Sequence, residues 1–385
     1  MRTVGSVVRS AFFWVHLAVG VAASALILLM SVTGVLLGFE RQSIAAIDGT
    51  AAVAPAPGLP RLPIDSVLAR QAIDRADVAS VVMRAEPDRP LTIRFRERDR
   101  SALLVDPWRG TTVEAPPPGK GQAFFSALRR WHRWVGATGS EWRTRFRAAT
   151  GAANLAFLFL VLSGLYLWWP SQWTRQRLVA TTVPRLSATG KARDFNWHHS
   201  FGFLAAVPLA LVVASGVFIS YQWPGRLLDR FVGSPEERAE SAPPSPELAP
   251  RHDDAPLDRS VAHAIAAHPD WRQLTLTLPA DRDSVLRIAV AEGNTYRPDQ
   301  RYTLTFARTS GAVLATSGYA DLSLSRRIRA WVRFGHTGEV FGVTGQLVAT
   351  LVTAVGALLV WTGLALSWRR WRQWRGRRRV LSSPA

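Results

Sequence analysis

The sequence predicts an α-helical membrane protein with four transmembrane helices and two outer α+β domains, built as a duplication of span, domain, span. Three observations carry this expectation: four long charge-free stretches, two long intervening segments with the same order of helix and strand signals, and histidine–glycine spacings that recur between the halves.

The charge-free stretches are Ser10–Phe39, Ala148–Thr174, Phe195–Gly225 and Val340–Trp368, interrupted only by histidines. A bilayer core takes about 20 apolar residues, so each can span. The chain has 385 residues and a formal charge of +19, nearly all arginine, because Lys120 and Lys191 are the only lysines. Such a balance suits nucleic acid or an anionic membrane; four spans select membrane lipid, and no nucleic-acid partner is expected. The first apolar run is too long for a signal-peptide core of about 7–15 residues, and no small-residue cleavage site closes it before Glu40, so it reads as a retained anchor.

Short flanks set the orientation. Residues 175–194, between the second and third spans, carry Arg175, Arg177, Arg185, Lys191 and Arg193 against Asp194 alone, and the tail, 369–385, carries Arg369, Arg370, Arg372, Arg375, Arg377, Arg378 and Arg379. With Arg2 and Arg9, both belong on the cytoplasmic side, which puts both termini there. Trp168, Trp169, Trp173, Trp223, Trp368 and Trp371 fall where interfacial aromatic belts belong.

Residues 40–147 and 226–339 then lie outside, in the periplasm of a Gram-negative host. The first reads as a helix over 63–75, strands over 78–84, 91–96 and 102–105, and the turn Asp106-Pro107-Trp108-Arg109-Gly110. The second reads as a helix over 257–267, strands over 273–278, 285–290 and 302–306, and a turn at Ser310-Gly311. Pro-rich linkers, Ala54–Pro63 and Pro243–Pro250, precede them.

The spans carry matching marks. His16 is followed by Gly20 and Thr33-Gly34, and His198 by Gly202 and Ser215-Gly216, with offsets of +4 and +18 in both, 182 residues apart. Ser163-Gly164-Leu165 and Thr362-Gly363-Leu364 stand ahead of Trp168 and Trp368 in the second and fourth spans.

With no cysteine in the chain, disulfides, thiolate metal sites and covalent c-type haem attachment are excluded, and any metal must be held by histidine or oxygen. His16 and His198 stand near the cytoplasmic ends of spans one and three, and His132 and His336 just outside spans two and four. Ionisable groups at membrane depth are costly and usually functional. Two imidazoles from different helices at one depth suit bis-histidine haem b, so two haems are expected: an inner one on His16 and His198, an outer one on His132 and His336. Eighteen residues of helix make five turns, about 27 Å, so His16 and Gly34 share a face, as do His198 and Gly216. Glycine lets a flat porphyrin approach a helix closely. Gly20 and Gly202, with Gly164 and Gly363, are therefore expected beside the inner haem, and Gly34 and Gly216 beside the outer one. His199 competes with His198 for the third-span position, and the duplication favours His198. His252, His263 and His268 read as solvated surface.

No dinucleotide-binding glycine motif, Walker loop, nucleophile elbow or zincin motif appears, so electrons must come from membrane quinol or a cytoplasmic reductase. Arg129, Arg130, Arg133, Arg329 and Arg333, with Trp131, Trp134 and Trp331, read either as interfacial anchors or as a basic aromatic surface for an acceptor.

The two outer units, each ending in a turn such as Val105-Asp106-Pro107-Trp108-Arg109-Gly110 or Phe306-Ala307-Arg308-Thr309-Ser310-Gly311, resemble PepSY domains. Trp131-His132-Arg133, Gly335-His336-Thr337-Gly338 and the Gly-Leu-x-Leu pieces ending spans two and four resemble the PepSY-associated transmembrane family, over essentially the whole chain. Membership implies a bacterial inner-membrane, haem-containing reductase that passes electrons to Fe(III) in periplasmic ferric siderophores, with His16, His132, His198 and His336 as the haem ligands. No catalytic acid or base is expected. A non-enzymatic membrane scaffold whose outer domains bind an envelope peptide or protein is the alternative. A siderophore or haem transporter ranks last, because four spans without a broken, midplane-charged helix suit alternating access poorly.

Overall fold

The computed structural model describes residues 4–97, 99–114, 119–170, 172–232, 254–280 and 283–381. The expected linker Pro243–Pro250 and His252 lie outside them. In chain order the first half holds α1 (Val4–Leu37), α2 (Glu40–Asp48), α3 (Ile64–Arg70), β1 (Val78–Arg84), β2 (Leu91–Phe95), β3 (Leu103–Val105), β4 (Thr112–Val113), α4 (Lys120–Trp134), α5 (Ser140–Trp168) and α6 (Arg175–Thr182). The second half holds α7 (Gly190–Ser220), α8 (Trp223–Val232), α9 (Leu257–Ala267), β5 (Trp271–Thr277), β6 (Val285–Glu292), β7 (Arg301–Ala307), β8 (Val313–Gly318), α10 (Leu324–Thr337) and α11 (Gly342–Leu381). They form two compact units: Met1–Ser43, Gln122–Leu227 and Val332–Ala385 make a helical unit, and Ile44–Gly121 and Leu228–Trp331 a strand unit.

In the helical unit, four helices are long and apolar enough to cross a membrane: Ser6–Leu37, Ser140–Trp168, Gly190–Ser220 and Glu339–Arg377. Their ends depart from the charge-free stretches for local reasons. Helix α5 begins at Ser140 and takes in Arg143, Arg145 and Arg147, since arginine is a good helix former. It stops at Trp168 because Trp169 precedes Pro170, which disfavours helical backbone. Helix α7 ends at Ser220 and the chain starts afresh in α8 with Pro224 in its first turn; Pro208, inside α7, leaves one backbone bond unmade. Helix α11 runs on through the arginines past Trp368 without a break. Ala205, Leu209 and Val213 of α7 form the buried centre, packed by Phe157, Leu158 and Val161 of α5 and Val352, Val355 and Leu359 of α11.

The strand unit corrects the expectation of two separate domains. Its strands form one antiparallel sheet in the order β4-β3-β2-β1-β5-β6-β7-β8. The halves meet where Val81 lies opposite Leu276 and Met83 opposite Leu274, all four buried. The period-2 alternation of these strands puts one set of side chains in a common core with Val67 and Leu68 of α3 and Val261 and Ala264 of α9. The two helices cap one another: Asp258 accepts from the Ile64 amide at 2.7 Å, and Asp65 from the Leu257 amide at 2.9 Å. Helix α3 stops at Arg70, five residues short of expectation, because Ala72 takes a left-handed conformation (φ 50°) and the Ile73 amide turns back to the Leu68 carbonyl at 2.9 Å.

The terminal turns of the halves also match. The Gly110 amide bonds the Asp106 carbonyl at 2.8 Å and the Gly311 amide the Ala307 carbonyl at 2.9 Å, both glycines at positive φ, 72° and 66°. The strands β4 and β8 that follow these turns were not expected from the sequence.

Candidate functional site

Each histidine from the duplicated positions is held by a hydroxyl on a neighbouring helix. His16 Nδ1 lies 2.8 Å from Ser163 Oγ of α5, and His198 Nδ1 lies 2.9 Å from Thr362 Oγ1 of α11. His132 Nδ1 lies 2.9 Å from Thr33 Oγ1 of α1, and His336 Nδ1 lies 2.9 Å from both Ser215 Oγ and the Val212 carbonyl of α7. The hydroxyl protons are already committed within their own helices. Ser163 donates to the Leu160 carbonyl (3.4 Å), Thr362 to Leu358 (2.9 Å), Thr33 to Leu29 (2.6 Å) and Ser215 to Val212 (2.7 Å). The oxygen is therefore the acceptor and Nδ1–H the donor, which leaves Nε2 with a free lone pair. This is the tautomer a metal-binding imidazole needs, with its outer nitrogen fixed by a hydrogen bond.

In every case the hydroxyl residue immediately precedes a glycine: Ser163-Gly164, Thr362-Gly363, Thr33-Gly34 and Ser215-Gly216. Three of these glycines lie against the ring. A Cβ at Gly164 would meet His16 Cε1 at 3.4 Å, one at Gly363 would meet His198 Cε1 at 3.3 Å, and one at Gly34 would meet His132 Cε1 at 3.4 Å. Gly216 instead faces the Asn154 amide, whose Nδ2 reaches the Val213 carbonyl at 3.1 Å. A Cβ at Gly20 would meet Leu160 Cδ2 at 3.7 Å and one at Gly202 would meet Leu359 Cδ2 at 3.5 Å, with no imidazole within 4 Å of either. These hydroxyls are not among the candidate residues of the sequence, although the repeated hydroxyl–glycine pair marks them there.

His16 and His198 line one cavity of about 470 Å³ inside the helical unit, with Gly20, Gly202, Gly164 and Gly363 also in its wall. His199 lines it too, but its Nδ1 bonds the Phe195 carbonyl of its own helix at 2.9 Å, without a hydroxyl–glycine partner. Trp168, expected at the lipid interface, is instead buried against this cavity, its ring stacked on Phe203 at 3.8 Å. The segment from α6 to α7 is tied to α7 by Asn196, which accepts from the Arg185 amide and donates to the Ala180 and Val183 carbonyls.

His132 and His336 are neighbours within the helical unit. Burial, and then the neighbouring His336, lowers His132 to about 4, and burial lowers His336 as well. Both belong to the compact helical unit rather than to the outer domains in which sequence reading placed them. Each enters from an amphipathic helix that ends in a left-handed turn, at Val135 and Gly136 after α4 and at Gly338 after α10. A Cβ at Gly338 would overlap the Gly345 carbonyl, so this turn accepts only glycine.

The remaining candidates lie apart. His268 is not solvated: its Nδ1 lies 2.8 Å from Glu292 Oε1 and its ring stacks on Tyr302, while His263 is exposed beside Phe306. Of the arginine–tryptophan group, Arg129 pairs with Glu40, Arg329 with Asp229, Arg133 lies over Trp134 at 4.9 Å, and Trp331 donates to the Tyr319 hydroxyl at 2.9 Å. Among the described residues, no group of three or more His, Cys, Asp or Glu is gathered for a bare metal ion. A haem asks for less, since the porphyrin supplies four donors and the protein two.

A bundle of four membrane-crossing helices with paired, hydroxyl-anchored histidines toward its two ends defines an integral, multi-pass α-helical membrane protein. The family model described as the PepSY-associated TM region matches residues 13–370, nearly the whole chain, and the protein belongs to that family. No curated protein matches it.

Proposed function

We propose that the protein is a two-haem electron conduit of the bacterial inner membrane that reduces Fe(III) in periplasmic ferric siderophores, releasing Fe(II). The observation that carries this reading is the set of four imidazoles, each with Nδ1 within 2.9 Å of a hydroxyl oxygen on a neighbouring helix, three of them packed on glycine. Haem b, bound between His16 and His198 and between His132 and His336, would supply one-electron chemistry. The chain's own part is to hold each plane by its Nε2 atoms, to fix ring orientation through the hydroxyls, and to exclude water with apolar helices. Quinol or a cytoplasmic reductase would load the inner site. Fe(II) has lower charge than Fe(III) and prefers softer ligands, so reduction loosens a hard-oxygen chelate. The parallel contacts of the two halves, His16 with Ser163 and His198 with Thr362, support a duplicated architecture.

The test is a dithionite-reduced minus oxidised spectrum of the detergent-purified protein with haem quantified per chain, followed by ferric-siderophore reduction by the reduced protein. About two haems b per chain are expected, with loss of one site in His16→Ala and of the other in His336→Ala. Haem-free protein from haem-replete cells would refute the conduit and favour a scaffold role for the strand unit.

A further inference from the structure

The cavity that holds His16 and His198 is apolar over most of its wall but ends in Lys191, Arg370 and Gln373. Lys191 stands seven residues before His198 on α7, and Arg370 seven residues after Gly363 on α11. Seven residues of helix are two turns less about 20°, so each cation lies on the same side of its helix as the histidine or its glycine, about 10.5 Å away along the axis. Backward on α7 and forward on α11 lead to the same end, as the common lining shows. Arg370 is held at that mouth over the rings of Phe13 and Trp14, at 5.0 and 4.7 Å.

These cations are not used up by the protein. Asp194, the buried carboxylate of this region, is taken by Arg193 at 2.9 Å and Arg369 at 3.0 Å. Neither Lys191 nor Arg370 has a carboxylate partner among the described residues. The equivalent position seven residues before His16 is Arg9, and it is spent on the carbonyls of Leu167 and Trp169 at the end of α5. So the cavity has an apolar body, two imidazoles in its wall and one cationic end on α7 and α11, which matches a flat apolar ligand whose carboxylates sit on one edge.

We infer that Lys191 and Arg370 bind the two propionate carboxylates of the inner haem and so set which edge of the porphyrin faces the cytoplasmic end. This rests on the two-haem reading. The two would act as positioning residues: they fix the plate's rotation about the axis between the imidazoles, which the histidines by themselves leave free.

The test titrates protein from haem-limited cells with haem b and with haem b dimethyl ester, whose carboxylates are masked, following the absorbance of the inner site in a His336→Ala background. Wild-type residues at 191 and 370 are expected to favour the acid over the ester by about tenfold or more, the scale of charge-assisted hydrogen bonds. Lys191→Ala/Arg370→Ala is expected to bind both forms alike, at the ester's affinity, and Lys191→Arg with Arg370 unchanged to keep the preference. Helix content by circular dichroism, and outer-site occupancy in the double variant with His336 intact, show that the chain is folded. Equal binding of acid and ester by the unchanged residues would overturn the inference while leaving the two-haem reading intact. A double variant that keeps the preference but loses co-purifying phosphatidylglycerol would overturn it in favour of a lipid phosphate. Failure to bind either porphyrin at any site would instead bring down the two-haem reading, and this inference with it.

Discussion

At His16, His198, His132 and His336 the Nδ1 proton goes to a hydroxyl oxygen whose own proton is held by a helix carbonyl, so the lone pair at Nε2 follows from hydrogen-bond counting. Removing one anchor should leave the ligand but loosen it: Thr362→Ala is expected to weaken haem retention at the inner site about 10–100-fold, the usual cost of losing the group behind a ligand. Stepwise haem loss from the purified variant measures this, and retention equal to wild type would show the hydroxyl to be incidental. In the strand unit, Asp106 is one residue whose protonation bears on stability. Burial alone would raise its pKa, but the Trp108 and Arg109 amides, at 2.7 and 3.1 Å, and the Arg109 guanidinium at 3.0 Å outweigh that and hold it below the ordinary value. A folded pKa below the unfolded value of about 3.9 means that its stabilisation is complete above that pH and lost as pH falls through the folded pKa. Asp106→Ala should therefore lower stability by roughly 2 kcal/mol at neutral pH and flatten the acid limb of the melting curve. An unchanged acid limb would rule this out.

Turns decide where elements stop and where the histidines arrive. Ala72 holds a left-handed conformation that suits glycine, so Ala72→Gly should stabilise the strand unit by about 1 kcal/mol. A lower melting temperature for that variant would contradict the assignment of a strained cap. Gly338 is the opposite case. Its φ of 75° and its contact with the Gly345 backbone leave no space for a Cβ, and it lies two residues after His336. Gly338→Ala should displace the helix that carries His336 and, on the two-haem proposal, selectively empty the outer site, read as about one haem lost per chain with the His16–His198 site still filled. Equal loss from both sites would point to general unfolding instead.

On the scale of the whole molecule, the arginine distribution predicts both termini and the loop before α7 on the cytoplasmic side. The absence of cysteine makes the check simple, since any introduced thiol is unique. In intact cells of a Gram-negative host with a permeabilised outer membrane, Ser310→Cys of the strand unit should react with an impermeant maleimide, and Ser187→Cys only after lysis. Reversal of the two labelling patterns would invert the topology.

Apolar length, arginine bias and the spacing of His16 with Gly20 and Gly34 were legible in the chain because each depends on local periodicity or on the cost of burying charge. So were most strands, whose alternation is local, and the membership of His198 rather than His199 in the repeated set. What no local pattern contains is which surfaces meet. The pairing of β1 with β5, which makes one sheet of two expected domains, involves residues nearly two hundred positions apart. Likewise, Thr33 and Ser215 read as part of a glycine motif until their helices bring them to His132 and His336, and Gly216 is turned to Asn154 by the packing of α5 on α7. Sequence determined the class of protein and the residues that could do chemistry, because those follow from composition and helical phase. Tertiary structure alone decided the partner of each imidazole, because a hydrogen bond between helices depends on their separation and rotation, which no single helix specifies.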